Sequence, residues 1–230
     1  MAVATIYNGV FLLGGVNNDR LQLSDDYQNP CCCGGPCENY YSEDSFALWG
    51  SGGLTTTSQD LNEICLMVTG TPNRCGNNTI VFWPLTALAD WVAKGGLLFV
   101  KAEFPGCGNL PAMESYLSAI GVDMTFGDEI ICCTGGEFGY DASVVSLPVT
   151  AGLSSTVHSG GASAAIFGGI PLLTCPACPG TKYGGGVVLA GQMVGKGAVF
   201  VSADSNLDPA EINKITVNAV DIRKSGGSYF

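Results

Sequence analysis

The sequence predicts a single α/β domain whose sheet is mostly parallel and flanked by helices. Apolar residues recur at helical spacing over residues 85–92, a Gly-Gly pair ends that segment, and the apolar run 97–100 predicts a buried strand. A second helical pattern covers residues 110–120 and ends at Gly121. An order of strand, helix, strand and helix is typical of parallel sheets covered on both faces.

The stretches before this unit predict two further strands and a long loop. Residues 3–13 are rich in β-branched and aromatic side chains and end at a Gly-Gly turn, which predicts a first strand. Turn-forming residues dominate residues 16–60, which we interpret as an irregular Cys-rich loop insertion. Residues 61–69 predict the second strand.

The remainder of the chain predicts a β-rich segment, a buried strand and a final helix. Within residues 122–190, short apolar segments alternate with Gly and Pro, which favours an antiparallel β extension rich in loops. Residues 198–203 predict a buried strand. Asp208 is placed to cap the last helix, with Pro209 at its first position and Glu211 completing a capping box. One domain therefore spans residues 1–230.

Charge and hydropathy exclude several classes of partner. The net charge is −11 and the pI is near 4.2, so a phosphate backbone would be repelled and we expect no nucleic acid partner. Apolar runs of about 8 residues are far shorter than a bilayer-spanning helix, and we expect no membrane partner. Residues 1–15 lack the basic region and cleavage site of a signal peptide.

Four segments carry a resemblance to a known superfamily. They are the helix, Gly-Gly and strand unit of residues 85–102, the helix end LSAIGV at 117–122, LPVTAGL at 147–153 and GKGAVFVSAD at 195–204. In this order they resemble the class I glutamine amidotransferase-like superfamily over about residues 62–223. The resemblance implies a flavodoxin-like α/β sandwich.

Active members of that superfamily use a Cys nucleophile on a sharp turn after the central strand, with a His and an acidic residue downstream. The candidates here are Cys107 and His158, with Asp204 or Glu103 to orient the imidazole. Cys107 lies beyond Pro105 instead of directly at the strand end, and the expected His-x-Glu is absent. The resemblance therefore implies a divergent member without a complete Cys/His/Glu triad.

Cysteine is the most unusual part of the composition. The number of cysteines is odd, so at least one is unpaired within the chain, metal-bound or paired with another chain. Disulfides are the leading interpretation, with Cys65 and Cys75 flanking one turn. The disulfide candidates are Cys31, Cys32, Cys33, Cys37, Cys65, Cys75, Cys132, Cys133, Cys175 and Cys178. One alternative is that most of these thiols are free. The other is a zinc or iron–sulfur site, and its candidate ligands are Cys31, Cys33, Cys37, Cys175 and Cys178.

These observations favour a structural function over catalysis. Charged residues make up only 13% of the chain, against roughly 25% in ordinary soluble domains, and the cysteines occur without an export signal. We expect a non-catalytic structural or interaction component of a larger assembly that self-associates, with a virus or phage particle as the specific candidate. Its location would be a virion or an extracellular particle, and we expect no cofactor. The alternatives are a cysteine-dependent hydrolase or amidotransferase-type enzyme using Cys107 and His158, and a secreted surface- or carbohydrate-binding module.

Overall fold

A sheet of eleven strands organises the described part of the chain. The computed structural model describes residues 2–7, 10–15, 64–69, 85–102, 110–130, 133–134, 137–159, 162–176, 185–204 and 207–230. The described strands are β1 (Ala2–Tyr7), β2 (Val10–Gly15), β3 (Ile64–Thr69), β4 (Leu97–Lys101), β5 (Thr125–Ile130), β6 (Cys133–Thr134), β7 (Glu137–Phe138), β8 (Tyr140–Val144), β9 (Thr156–Ser159), β10 (Ser163–Phe167), β11 (Ile170–Cys175), β12 (Gly186–Val194) and β13 (Gly197–Ser202). The described α-helices are α1 (Leu85–Ala93), α2 (Leu110–Ala119) and α3 (Pro209–Ser225), and Pro148–Thr150 form a 3-10 turn.

The expectation of a mostly parallel, flavodoxin-like sheet is wrong. The sheet is mixed and strongly curled, and antiparallel pairs outnumber parallel ones by seven to three among its described strands. Parallel pairing is confined to β1 with β3, β3 with β4 and β4 with β13. The antiparallel strands are therefore the larger part of the sheet, not an extension at its edge.

The physical reason lies in the connections between strands. A parallel pair needs a long crossover, usually a helix, whereas antiparallel neighbours need only a tight turn. Helical patterns occur in 85–120 and after Asp208, but the turns from β10 to β11 and from β12 to β13 contain Gly168, Gly169 and Gly195 at positive φ. Gly195 permits the tight turn of the β12–β13 hairpin, and Gly168 and Gly169 permit the sharp turn that leads from β10 into β11. The chain between α2 and α3 therefore folds mainly by antiparallel pairing.

Strand β12 is where the sheet branches. Its second half, from Leu189 to Val194, pairs with β13, while Val187 in its first half pairs with Ile166 of β10. Strand β10 in turn pairs with β5, and Ala164 N donates to Ala203 O just beyond the end of β13. The space past the carboxyl end of β13 is therefore bordered by β10.

Helices cover both faces of the parallel strands. Leu97, Phe99 and Phe200 belong to one core cluster, which contains the apolar side chains of α3. Leu98, Val100 and residues of α1 and α2 form the second cluster on the opposite face. Alternate residues of a strand point to opposite faces, so the unbroken apolar runs of β4 and β13 supply both cores at once.

The start of α3 confirms one sequence prediction and corrects another. Asp208 caps the helix, since its Oδ1 accepts from Ala210 N at 2.8 Å, and Pro209 occupies the first turn. The prediction of a capping box is wrong. The Asp208 main-chain N–H, which would donate to Glu211 in a capping box, donates instead to His158 O at 2.9 Å. The Glu211 carboxylate instead accepts from Ser154 and Lys214.

Candidate functional site

The candidate site lies at the carboxyl ends of the parallel strands β4 and β13. Lys101 is the last residue of β4, and it pairs in register with Ser202, the last residue of β13. Ala102 N extends this pairing by donating to Ser202 O at 2.7 Å. In α/β sheets, ligands bind outside the carboxyl ends of the strands. The polar side chains at this edge are therefore the first to consider for chemistry.

Asp204 is the centre of the polar groups at this edge, which we call the Asp204 cluster. Tyr140 donates its hydroxyl to Asp204 Oδ2 at 2.8 Å, and Ser159 Oγ donates to the same oxygen. Ser202 Oγ donates to the main-chain oxygen of Asp204 at 2.5 Å. The members of the cluster are Lys101, Tyr140, Ser159, Ser163, Ser202 and Asp204.

Every member of the Asp204 cluster is buried. Tyr140, Ser159 and Ser163 have no exposed surface, and Lys101, the most accessible member, is 4% exposed. Buried and exposed residues alternate along β8 and β9, which explains this burial. Tyr140 and Ser159 are paired across the two strands, and both side chains point into the core. A buried charge is costly unless it is compensated, and Tyr140 and Ser159 supply hydrogen bonds to the Asp204 carboxylate.

Burial also sets the proton affinities in the cluster. It lowers the pKa of the Lys101 amine to about 7, and the negative charge of Asp204 opposes this shift. The pKa of the Tyr140 hydroxyl is raised well above its ordinary value, first by burial and then by the Asp204 charge. Tyr140 therefore remains a hydrogen-bond donor at neutral pH, and the Lys101 amine gives up its proton more readily than the amine of an exposed lysine.

His158 lies on the opposite side of β9 from the Asp204 cluster. Its Nδ1 is 2.9 Å from Asp141 Oδ1, and the two side chains are 55% and 52% exposed. Asp141 is its partner in register on β8. Because Ser159 points inward and His158 points outward, the residue that orients the imidazole is Asp141 and not Asp204. The bond to Nδ1 leaves Nε2 for other contacts.

Most of the cysteine predictions concern positions whose side chains are outside the described residues. Cys107, Cys31, Cys32, Cys33, Cys37, Cys65, Cys75, Cys132, Cys133 and Cys178 fall in this class, as does the side chain of Glu103. Their assignments as nucleophile, disulfide partners, metal ligands or orienting acid stay predictions.

Cys175 is the cysteine whose sulfur the structure does describe. It ends β11 in a buried position, and its Sγ donates to Pro176 O at 3.4 Å. Burial raises the pKa of this thiol to about 11. Within the described ranges, the structure contains no group of three or more His, Cys, Asp or Glu side chains suited to a metal ion.

Sequence reasoning missed most of the Asp204 cluster. Of its members, the sequence singles out Asp204 alone, as a partner of His158. One signal was available, since Lys101 closes an apolar run that the pattern predicts to be buried, and a buried lysine needs a partner. Tyr140, Ser159 and Ser163 carry no such signal, because only the pairing of distant strands brings them to Asp204.

The described residues include no helix that combines the length and apolar character needed to cross a membrane.

Comparison with known proteins identifies a fold but no family. No protein family matches the sequence, and no curated protein matches it either. Among solved structures, the β-galactosidase of Bacillus circulans sp. alkalophilus superposes with a TM-score of 0.51 and 13% identity over 76% of this chain. The β-galactosidase of Rahnella sp. R3 gives 0.50 and 14% over 74%. A cytoplasmic protein of Salmonella typhimurium gives 0.51 and 15%, covering 72% of this chain and 74% of that one.

The matches cover only a small part of each β-galactosidase. This chain spans about a quarter of each β-galactosidase, 24% in both cases. Identities of 13% to 15% are evidence of a shared fold alone. The chain is therefore similar in fold to one part of two large enzymes and to most of a bacterial cytoplasmic protein.

Proposed function

We propose that this chain is a non-catalytic structural or interaction module that self-associates within a larger assembly. The observation that carries this proposal is the sealed Asp204 cluster. At the sheet edge where an α/β enzyme would bind its substrate, the six polar side chains are between 0% and 4% exposed. Tyr140 and Ser159 donate to the Asp204 carboxylate and Ser202 donates to its main-chain oxygen, and a substrate would have to break these bonds to reach Asp204.

A candidate contact surface involves exposed residues of β10, β11 and β12. Phe167, Ile170 and Met193 are large apolar residues that are 59%, 40% and 43% exposed. Phe167 and Ile170 flank the Gly168–Gly169 turn. Ile170 pairs with Gly191 of β12, and Met193 follows Gly191 by two residues on the same face of that strand. We call these three residues the apolar patch. Exposed apolar side chains on one turn and on the strand paired beside it favour contact with another protein surface.

The fold likeness supports a modular role. In the two β-galactosidases, the matched part is 24% of a longer chain, so domains of this fold occur as components of larger proteins. The three similar structures named above are two β-galactosidases and a cytoplasmic protein, and none of their names refers to a virus or phage particle. We therefore propose assembly without assigning the particle.

Sedimentation of the purified chain over a range of concentrations tests self-association. We expect a concentration-dependent oligomer, and we expect the triple variant Phe167→Ser, Ile170→Thr, Met193→Gln to sediment as a monomer with unchanged secondary structure. The matched control is Asp221→Asn with Lys224→Gln, which removes an exposed ion pair of 3.5 Å on α3 while conserving net charge. This control should associate like the unmodified chain. A chain that stays monomeric at its highest soluble concentration contradicts the proposal.

The second candidate function is a cysteine-dependent hydrolase, and the His158–Asp141 pair is the observation that favours it. A carboxylate on Nδ1 holds an imidazole in the orientation that a general base needs, with Nε2 directed elsewhere. Cys107 would then be the nucleophile. Its rate of alkylation, measured against pH in the unmodified chain and in His158→Ala and Asp141→Asn, tests this candidate. A lowered Cys107 pKa that rises in both variants favours the enzyme, and a pKa that neither variant changes removes it.

A further inference from the structure

The residues that follow α3 end in two aromatic side chains that lie against the sheet. Residues 224–228 are exposed, Tyr229 is buried and Phe230 is partly buried against the core. The ring of Phe200 on β13 lies beside both, with its centroid 6.2 Å from that of Tyr229 and 6.0 Å from that of Phe230. Val149 N donates to Tyr229 O at 3.2 Å. An exposed connection therefore leads to an aromatic anchor.

The Phe230 ring occupies a notch that exists because residue 191 has no side chain. A Cβ at Gly191 would overlap Cε1 and Cζ of Phe230, and it would lie 3.3 Å from Cδ1 of Phe200. Gly191 and Phe200 are paired in register across β12 and β13, so the ring covers the face of the sheet that carries Phe200. We call the notch formed by Gly191 and Phe200 the Gly191 socket.

The Gly191 socket adjoins the apolar patch. Ile170 pairs in register with Gly191, and Met193 follows Gly191 by two residues. Both side chains therefore lie on the face of the sheet that carries the Phe230 ring. They are 40% and 43% exposed, whereas Phe230 is partly buried. Two copies in contact through Ile170 and Met193 would consequently bring their sockets close to each other.

The connection between α3 and Phe230 has room to change direction. Gly226 ends the helix at a φ of +70°, and a Cβ at this position would meet nothing within 4 Å. At Gly227 the nearest contacts of a Cβ would be ordinary ones at 3.5 Å. Glycine adopts either sign of φ at little cost, so the segment can leave its own socket while α3 stays intact. The chain from Gly226 to Phe230 spans at most about 14 Å, which limits Phe230 to a socket close to its own.

We propose that two copies of this chain exchange residues 226–230, so that Phe230 of each copy occupies the Gly191 socket of the other. This inference rests on the proposed self-association and names the segment that the copies share. A socket that fits this segment in one chain fits the identical segment of a second copy, and such exchange is a low-cost route to dimers. Because the anchor contacts are the same in both arrangements, the apolar patch sets the affinity of the unmodified chain.

Two variants turn the exchange into a measurable gain of affinity. Phe230→Ala leaves the socket empty, and Gly191→Ala fills the socket and displaces Phe230. Neither chain alone can place an aromatic ring in a socket. In a mixture, the displaced Phe230 of one variant can enter the empty socket of the other. We expect sedimentation to show a heterodimer on the order of 30-fold tighter than either homodimer, because an aromatic anchor is gained without the loss of an equal contact.

The matched control is the double variant Gly191→Ala with Phe230→Ala, which has neither an anchor nor an open socket. Mixed with Phe230→Ala, it should show no gain in affinity. A mixture of the two single variants that is no tighter than its components overturns the exchange, even where the unmodified chain sediments as an oligomer. An unmodified chain that stays monomeric contradicts both the exchange and the proposed self-association, so the two kinds of failure are distinguishable.

Photo-crosslinking locates the same contact in a chain whose socket is unchanged, so it remains decisive if Gly191→Ala fails to fold. The photoreactive residue p-benzoylphenylalanine replaces Phe230, and 15N-labelled and unlabelled chains are unfolded, mixed and refolded together before irradiation. We expect the oligomer fraction to contain cross-links between residues 226–230 of a labelled chain and β12 of an unlabelled chain. Cross-links that join only peptides of the same isotope overturn the proposal.

Discussion

The hydroxyl of Tyr140 donates a 2.8 Å hydrogen bond to Oδ2 of Asp204, although the two residues are 64 positions apart. This bond connects the first residue of β8 with the segment that leaves β13, and it lies within the core. It therefore joins the antiparallel part of the sheet to the parallel part. A donor at this position satisfies an acceptor that water does not reach.

Removing this donor should destabilise the protein. Tyr140→Phe leaves Asp204 Oδ2 with one donor fewer, and loss of a partner from a buried acceptor costs about 1–3 kcal/mol. Urea denaturation should show a lower midpoint with an unchanged m value. Ser159→Ala removes the second donor to the same oxygen and should have a similar effect. Ser225→Ala alters an exposed hydroxyl and should change the free energy of unfolding by less than about 0.5 kcal/mol. Equal stability of Tyr140→Phe and the unmodified chain would contradict this account.

Gly197 should not tolerate a side chain. A Cβ at this position would overlap the carbonyl oxygens of Val92 and Gly96, because the start of β13 lies directly against the end of α1. Both obstacles are main-chain atoms, so relief requires the helix and strand to separate, and Gly197→Ala should cost about 1–3 kcal/mol. Gly227→Ala is the matched control, since its nearest new contacts would be ordinary ones at 3.5 Å. The thermal transition temperatures of the two variants are then compared. Similar temperatures would contradict the prediction, because the main chain at Val92 and Gly96 would then have made room for the new Cβ at little cost.

The Glu211 carboxylate should contribute stability that is lost in acid. Burial acts to raise its pKa, but the Lys214 ammonium at 2.6 Å and Ser154 N–H at 2.9 Å outweigh that effect and lower it. A carboxyl with a lowered folded pKa stabilises the protein above its unfolded pKa and loses this contribution as pH falls through the folded value. Glu211→Gln should cost about 1–2 kcal/mol at neutral pH.

The pH profile distinguishes this effect from general acid unfolding. Between about pH 6 and pH 3, the free energy of unfolding should fall more steeply in the unmodified chain than in Glu211→Gln. Asp221→Asn, which removes an exposed carboxylate 3.5 Å from Lys224, should leave the profile within about 0.5 kcal/mol of the original. Parallel profiles for the unmodified chain and Glu211→Gln would contradict the prediction.

Local patterns predicted the elements that are decided by neighbouring residues. The helical period of 85–92, the Gly-Gly stop and the apolar run after it correspond to α1 and β4. Asp208 and Pro209 mark the start of α3 because capping depends on a few adjacent main-chain groups. The segment LPVTAGL also has a local explanation: Thr150 Oγ1 donates to Val145 O at 2.6 Å and accepts from Leu147 N at 2.9 Å, closing the 3-10 turn.

Strand pairing and the candidate site depended on information that local patterns lack. An apolar strand such as β12 has the same composition whether its neighbours run parallel or antiparallel, so an unbroken apolar run does not specify direction. Tyr140 and Ser159 are brought to Asp204 by the β8–β9 hairpin and by the curl of the sheet. The sequence places these residues in three separate segments, and only the folded chain places them together.

The thiol of Cys175 should react slowly in the folded protein. Burial raises its pKa to about 11 from an ordinary 9, which reduces the reactive thiolate about 100-fold at any pH well below both values. Iodoacetamide labelling at mildly alkaline pH, followed by peptide mass spectrometry, should therefore modify Cys175 much more slowly in the folded chain than in urea. The raised pKa also means that the folded state holds the thiol proton more tightly, so its contribution to stability falls as pH rises from about 9 to about 11. Cys175→Ala should lack that part of the decline, and labelling at equal rates in folded and unfolded chains would contradict the prediction.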